Sequence, residues 1–290
     1  MTVTVAEALD EAARRLSGTR TPRLDAEVLL ASLMGGDRTR LYIGSAGEVP
    51  GEVLERFRGL VERRCSGVPV AYLTGYREFY SRRYRVTPDV LIPRPETETL
   101  VEVALDWLGK NGLSRPRVLD LGTGSGILAA TLSLEVPGSE VVAVELCPRA
   151  AAVARENFHR LRARVELLEG DLFAPVRGRF DLIVSNPPYV GTERGPQPEE
   201  NVRRNEPAAA LFSGPSGLEV LRRIWTQAPD FLVEGGVLAM EVAPHQSEGV
   251  EAAMRERGFR RTRLVPDLAG LPRVVSGCWE EETDDDLGTR

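Results

Sequence analysis

The chain has 290 residues, room for one large or two ordinary domains, and its 42% apolar and 28% charged content is that of a globular protein with a sizeable core. Its net charge of −6 gives no whole-protein attraction to nucleic acid, no apolar run reaches the length of a membrane span, and residues 1–16 lack the basic start and apolar block of a signal peptide. Cys65, Cys147 and Cys278 form no C-x-x-C pair and His159 and His245 are the only histidines, so disulfides, a metal site and a His-based triad are not expected; the expected location is cytoplasmic.

The charge is unevenly spread. Residues 1–95 hold 15 Arg against 12 Asp plus Glu, a balance of +3, which leaves −9 for residues 96–290. Val5, Ala8, Leu9, Ala12 and Leu16 recur at helical spacing. Thr21-Pro22 then reads as the N-cap and first position of a helix carrying Leu24, Val28 and Ala31 on one face. Pro50-Gly51 opens another helix, with Val53, Leu54, Phe57, Leu60 and Val61 on its apolar side. No catalytic cluster interrupts these packing faces, so residues 1–75 read as a small helical docking domain.

From Tyr72 to Val90 the pattern changes to Phe79, Tyr80, Tyr84 and Val86 among arginines, which predicts a β-hairpin linker, assigned to 76–95. In Leu91-Ile92-Pro93-Arg94-Pro95-Glu96-Thr97-Glu98 each proline biases its predecessor toward extended geometry. Ile92 to Arg94 is therefore expected to be a stiff strap before a helix from about Pro95 to Leu108, with Glu96 and Glu98 suited to the helix dipole. The segment serves equally as a helix start or as a wall of the active site.

A buried strand from Val118 runs into Gly122-Thr123-Gly124-Ser125-Gly126 and then an Ala/Leu-rich helix, so that backbone N–H groups can approach a ligand closely. The spacing is G-x-G-x-G rather than that of dinucleotide enzymes. The next strand, 141–144, ends at Glu145, the right distance onward for a carboxylate on two ribose hydroxyls. Loop and acid together point to an adenosine-containing cofactor. A third strand, 165–168, leads to Asp171 and Leu172, an acid and an apolar side chain that suit an adenine amino group and its ring.

The fourth strand, Phe180 to Ser185, ends at Asn186-Pro187-Pro188-Tyr189. Two prolines fix φ twice and remove two N–H groups, leaving a stiff frame of acceptors. Asn186 Oδ1 and the Pro187 carbonyl can together grip the two hydrogens of a planar –NH2 group, with Tyr189 as a flat face beside it. The plain alternative is a Pro-rich turn. Residues 191–206 lack any period and predict a long loop over the site. A helix from 214, a fifth strand over 237–242 after a Gly235-Gly236 turn, an amphipathic segment over 246–258 and a strand pair, 259–265 with 273–278, complete the 96–279 domain. The acidic residues over 280–290 predict a disordered tail.

With these segments placed, the chain closely resembles the HemK/PrmC family, protein-(glutamine-N5) methyltransferases that modify bacterial peptide chain release factors. The resemblance rests on Tyr72 to Gly75, Glu78 to Tyr80, Leu91 to Glu98, Asp120 to Gly126, Gly170 to Phe173, Phe180 to Tyr189, Asn205 to Pro207 and Asp267 to Gly270. It implies an α/β fold: a seven-stranded Rossmann-like methyltransferase domain that binds S-adenosyl-L-methionine, joined by a β-hairpin to a small N-terminal helical domain. It also assigns roles. Gly122, Thr123, Gly124, Ser125 and Gly126 would hold the methionine and sugar, Glu145 the ribose, and Asp171 and Leu172 the adenine. Asn186, Pro187, Pro188 and Tyr189 would hold the substrate glutamine, with Asn186, Pro187 and Tyr189 catalytic and Asn186 also touching the cofactor. The implied partners are bacterial class one release factors, with no direct nucleic-acid or membrane contact and a monomeric chain. Glu145 departs from the family, where Asp is more common, and Cys147 stands where Ser is usual. Because Asn-Pro-Pro-Tyr also occurs in adenine-N6 DNA methyltransferases, the alternative is a nucleic-acid amine methyltransferase. The segment Ile92 to Glu98 and the helical N-terminus resemble only the glutamine enzymes.

Overall fold

The computed structural model describes residues 3–36 and 38–280. Residues 281–290 of the predicted acidic tail lie outside them. The chain divides into two compact units, one formed by Met1–Tyr76 with Glu200–Asn205 and the other by Arg77–Glu199 with Glu206–Arg290.

The first unit is helical: α1 (Val5–Arg15), α2 (Pro22–Leu33), α3 (Arg38–Ile43), α4 (Gly51–Cys65) and α5 (Val70–Thr74). α1 begins in a capping box, Thr4 Oγ1 accepting from Glu7 N at 3.2 Å and Thr4 N donating to Glu7 Oε2 at 2.9 Å. The apolar stripes read on α1 and α4 meet in one core, with Val5, Leu9, Phe57 and Val61 buried. α2 turns a different face to it than the one read from Leu24, Val28 and Ala31: Ala26, Leu29, Leu30 and Ala31 are buried while Leu24 is 40% exposed. Beside that core Arg64 Nε donates to the buried Asp25 carboxylate at 2.8 Å, so the acid is not stranded without a partner.

A two-stranded hairpin, β1 (Tyr76–Phe79) and β2 (Arg82–Arg85), opens the second unit, only Tyr76 counting with the first, and turns at Tyr80 and Ser81, both at positive φ. α6 (Glu98–Asn111) follows a 3-10 turn over Pro95–Thr97, so the α-helix begins three residues later than the proline alone indicated. Then come β3 (Arg117–Leu121), α7 (Ile127–Glu135), β4 (Glu140–Glu145), α8 (Pro148–Leu161), β5 (Val165–Glu169) and β6 (Phe180–Ser185). Two short helices, α9 (Glu200–Asn205) and α10 (Ala208–Leu211), precede α11 (Glu219–Phe231), β7 (Leu232–Glu241), α12 (Ser247–Arg257), β8 (Phe259–Pro266) and β9 (Pro272–Trp279). By contact, α9 belongs to the helical unit, which corrects the prediction of a structureless loop over 191–206.

The strands make a seven-stranded sheet in the order β5-β4-β3-β6-β7-β9-β8. Its pairings are parallel from β5 to β7, and β9 runs antiparallel to both its neighbours. Alternate residues feed two cores. Val118, Val141, Ala143, Leu182 and Val184 pack with α6, α7 and α8 on one face. Leu119, Leu121, Val142, Val144 and Ile183 pack with α11 and α12 on the other. Burial on both faces explains why these strands are apolar runs without alternation. The chain winds outward from β3 to β5 and returns to β6 at β3's other side, so the order reverses between β3 and β6. Leu121 pairs with Ser185, and Ser185 Oγ donates to the Leu121 carbonyl at 2.7 Å. The glycine loop and the Asn-Pro-Pro-Tyr segment therefore leave the sheet side by side at the switch point, where open α/β sheets bind ligands.

Candidate active site

Gly122, Gly124 and Gly126 all lie at positive φ, the last at +84°. At Gly126 the reason is packing: an added Cβ would lie 2.5 Å from Phe158 Cε1. At Gly124 it is access, since only the Gly122 carbonyl, at 4.0 Å, borders the space a Cβ would enter. Asn157 of α8 fixes the loop from behind. Its Nδ2 donates to the carbonyls of Ser125 (2.8 Å) and Arg85 (3.0 Å), and its Oδ1 accepts from Arg85 N at 2.7 Å, tying glycine loop and hairpin together.

Glu145 ends β4 with its carboxylate folded onto backbone: Oε2 accepts from Gly124 N at 2.8 Å and Oε1 from Cys147 N at 2.9 Å. Each oxygen keeps a lone pair, so Glu145 holds the loop and still offers two acceptors to a ribose diol. Asp120, at the end of β3 and wholly buried, accepts from Thr123 Oγ1 (2.6 Å) and Ala129 N (3.1 Å) at Oδ2, while Oδ1 has no partner. Burial raises its pKa to about 7 against these hydrogen bonds. Asp171 is half-exposed and paired with Arg223 Nη2 at 2.7 Å, and Leu172, at φ +49°, has its side chain in the core beneath.

Asn186 Nδ2 donates to Thr97 Oγ1 at 3.0 Å. Thr97 Oγ1 donates to Glu241 Oε2 at 2.7 Å, and Tyr189 OH donates to Glu241 Oε1 at 3.1 Å. The Tyr189 carbonyl accepts from Gln246 Nε2 at 3.0 Å. Among the described residues nothing donates to Asn186 Oδ1 or to the Pro187 carbonyl, so the side chain is held by its nitrogen with its oxygen left to accept. Burial and the Glu241 carboxylate push the Tyr189 phenol well above its ordinary range, so it stays a donor. The strap before α6 is fixed by Glu206, which accepts from Ile92 N at 3.1 Å and from the Arg94 guanidinium.

The residues expected to hold cofactor and substrate thus come from the ends of β3, β4 and β6 and the segment after β5. Asp120, Asn157, Glu206, Thr97 and Glu241 were not singled out as site residues. One signal for Glu241 was available: a charged residue closing an apolar strand at the edge where the other site residues gather.

A largely parallel seven-stranded sheet with a reversed β9 and a glycine loop at the switch point is the fold of the S-adenosylmethionine-dependent methyltransferases. Residues 99–198 match the methyltransferase small domain and residues 7–75 the PrmC N-terminal domain. A methyltransferase from Pyrococcus furiosus is similar in fold, with a TM-score of 0.50 at 18% identity over 77% of this chain and 98% of that one. So is the 16S rRNA N2 methyltransferase of T. thermophilus in complex with AdoMet and guanosine, at 0.53, 22% identity, 71% of this chain and 50% of that one. In sequence the chain is 40% identical to the release factor glutamine methyltransferase of Koribacter versatilis over 95% of its own length and 98% of the relative's. It is 44% identical to that of Bordetella pertussis over 88% and 94%. The chain belongs to the release factor glutamine methyltransferase family.

Proposed function

We propose that this protein transfers a methyl group from S-adenosyl-L-methionine to the side-chain amide nitrogen of the glutamine in the Gly-Gly-Gln motif of bacterial class one release factors. One observation carries the reading. Asn186 is held by its own nitrogen, so its oxygen and the Pro187 carbonyl form a pair of free acceptors matched to the two hydrogens of a primary amide. The residues present fit the cofactor: open space at Gly122 and Gly124, spare lone pairs on Glu145 and an unpartnered Asp120 oxygen suit a sugar and an ammonium group.

Bound S-adenosylmethionine supplies an electrophilic methyl on a cationic sulfur. The chain's part is to make a poor nucleophile productive. An amide nitrogen shares its lone pair with the carbonyl, and no base among the site residues is strong enough to deprotonate it. Accepting both N–H hydrogens draws electron density toward the nitrogen and fixes the plane of the group, so positioning does most of the work. The nitrogen's extra proton becomes strongly acidic on methylation and leaves to water.

Residues 1–75 we assign to docking the body of the release factor, since a lone glutamine side chain offers too little contact for selectivity. The test offers the protein radiolabelled S-adenosylmethionine with a whole release factor, a short Gly-Gly-Gln peptide and duplex DNA in turn, and locates the methyl group by mass spectrometry. Label on the motif glutamine, with kcat/KM roughly 10²-fold or more higher for the whole factor than for the peptide, is the expected result. Label in DNA alone would reject the activity, and equal use of factor and peptide would reject the docking role.

A further inference from the structure

We propose that Glu241 is the positioning residue of this site: it decides which atom of the Asn186 amide faces the substrate. The inference rests on the proposed glutamine methylation and deepens it. An Asn side chain is nearly symmetric in shape, and turned by 180° it would present –NH2 to the substrate amide, donor against donor. Something must therefore choose between the two orientations.

The choice is made by a one-way chain of hydrogen bonds. Glu241 is 1% and Thr97 0% exposed, so neither exchanges partners with water. Tyr189 OH donates to Glu241 Oε1, and its phenol is far from giving up that proton. A carboxylate at 241 has no hydrogen to return, so the Thr97 hydroxyl must donate to Oε2 at 2.7 Å. Its hydrogen being used there, Thr97 Oγ1 can only accept from the amide, which draws in Asn186 Nδ2 at 3.0 Å and turns Oδ1 away from it. A proton on Oε2 would reverse each link in order: Glu241 would donate to Thr97, Thr97 to Asn186, and the amide would present its nitrogen.

The charged and titratable groups around Glu241 come from three places in the chain, and two further residues bear on them. Arg273 of β9 attracts its charge, Glu96 of the turn before α6 repels it, and Tyr189 follows β6. Arg273 is itself gripped by Asp267 through Nε at 3.3 Å and Nη2 at 3.2 Å, and Arg94 is the further cation facing Tyr189. Burial outweighs the attraction and raises Glu241 above the ordinary carboxylate range. The ionised, working form is thus lost as pH falls through that raised value.

The experiment compares Glu241→Gln, Thr97→Val, Thr97→Ser and the Glu241→Gln/Thr97→Val double variant with the wild type on a whole release factor. It measures kcat, KM for S-adenosylmethionine, the pH profile of kcat and thermal melting. Glu241→Gln keeps shape but supplies a donor, so kcat should fall roughly 30-fold or more while KM for S-adenosylmethionine stays within about threefold and melting shows a folded protein. Thr97→Val should match it, Thr97→Ser should recover to within about threefold of the wild type, and the double variant should be no worse than either single one, as expected of residues in one chain. The acid limb of the wild-type profile should vanish in Glu241→Gln. A Glu241→Gln variant with wild-type kcat, losses that track unfolding, or losses that multiply in the double variant would overturn the inference. A wild type inert toward the release factor would instead fell the proposed function, and the inference with it.

Discussion

Glu206 and Arg94, 112 residues apart in sequence, form an ion pair in which the carboxylate side chain is 1% and the guanidinium 32% exposed. The same carboxylate accepts from Ile92 N, so one buried acid fixes both ends of the Ile92–Arg94 strap that leads to Thr97. Removing the cation strands the anion. Arg94→Ala should cost about 1–3 kcal/mol, less than a fully buried pair because Arg94 is partly solvated, and Glu206→Gln in that background should restore much of it. Chemical denaturation of both singles and the double checks this; additive losses would show that the pair is not coupled.

Asn186→Ala removes an acceptor that matters chiefly while the methyl is in transit. Methyl transfer should fall roughly 10²-fold or more, with S-adenosylmethionine affinity unchanged within a few-fold. Single-turnover kinetics alongside calorimetric titration of the cofactor separates the two. Near-normal transfer would remove Asn186 from the mechanism.

Two glycines of the same loop should fail differently. Gly126→Ala drives a methyl into the Phe158 ring at 2.5 Å, at φ +84°, and should destabilise the fold by roughly 2–4 kcal/mol. At Gly124 an added Cβ meets no side chain, so Gly124→Val should stay folded, apart from roughly 1–2 kcal/mol of left-handed strain, yet no longer bind S-adenosylmethionine. Melting curves with and without cofactor distinguish them: Gly126→Ala melts early, while Gly124→Val loses the shift that cofactor confers.

Asp120 makes stability depend on pH. Its carboxyl titrates at about 7 in the folded chain against an ordinary 3.8, so between those values the folded chain keeps a proton that the unfolded chain has released. Its contribution is fully present below the lower value and is lost as pH rises toward the upper one, with a slope of up to about 1.4 kcal/mol per pH unit. Asp120→Asn should remove that component, flattening the stability curve between pH 4 and 7. An unchanged slope in urea titrations would show that Asp120 is not the group responsible.

The inner parallel strands β3, β4 and β6 were legible because burial on both faces leaves them as short apolar runs, whereas the edge strand β5 is only partly buried and interrupts its apolar residues with Glu166. Two of the candidate site residues were legible in the same way, the β4 run closing on Glu145 and the β6 run reaching Asn186 after Ser185, while after β3 the signal is the glycine spacing that begins at Gly122. The start of β7 was not. Gly235-Gly236 reads as a turn, but the strand begins at Leu232 and passes through both glycines: Gly235 takes φ +78°, and at Gly236 a Cβ would lie 3.1 Å from the Phe180 and Asp181 carbonyls. The helix over Glu200–Asn205 carries no apolar period, and its support is remote, Asn205 Nδ2 donating to the Gly67 carbonyl at 3.2 Å. The Thr97–Glu241 link joins residues 144 apart, so although Glu241 closes an apolar strand, no local pattern ties it to Thr97.

That distant helix bears on how the protein is made. The helical unit takes its last piece, Glu200–Asn205, from the far side of β6, so the first 76 residues emerge from the ribosome without a component of their own structure. The unit is completed only after about 130 further residues have been synthesised, at ordinary rates some seconds to tens of seconds later. Until then the face that will receive α9 is open to solvent or to a chaperone. A fragment cut at residue 76 reproduces this nascent state, and a graft of the helical unit onto another enzyme must carry the six residues of α9 along with it.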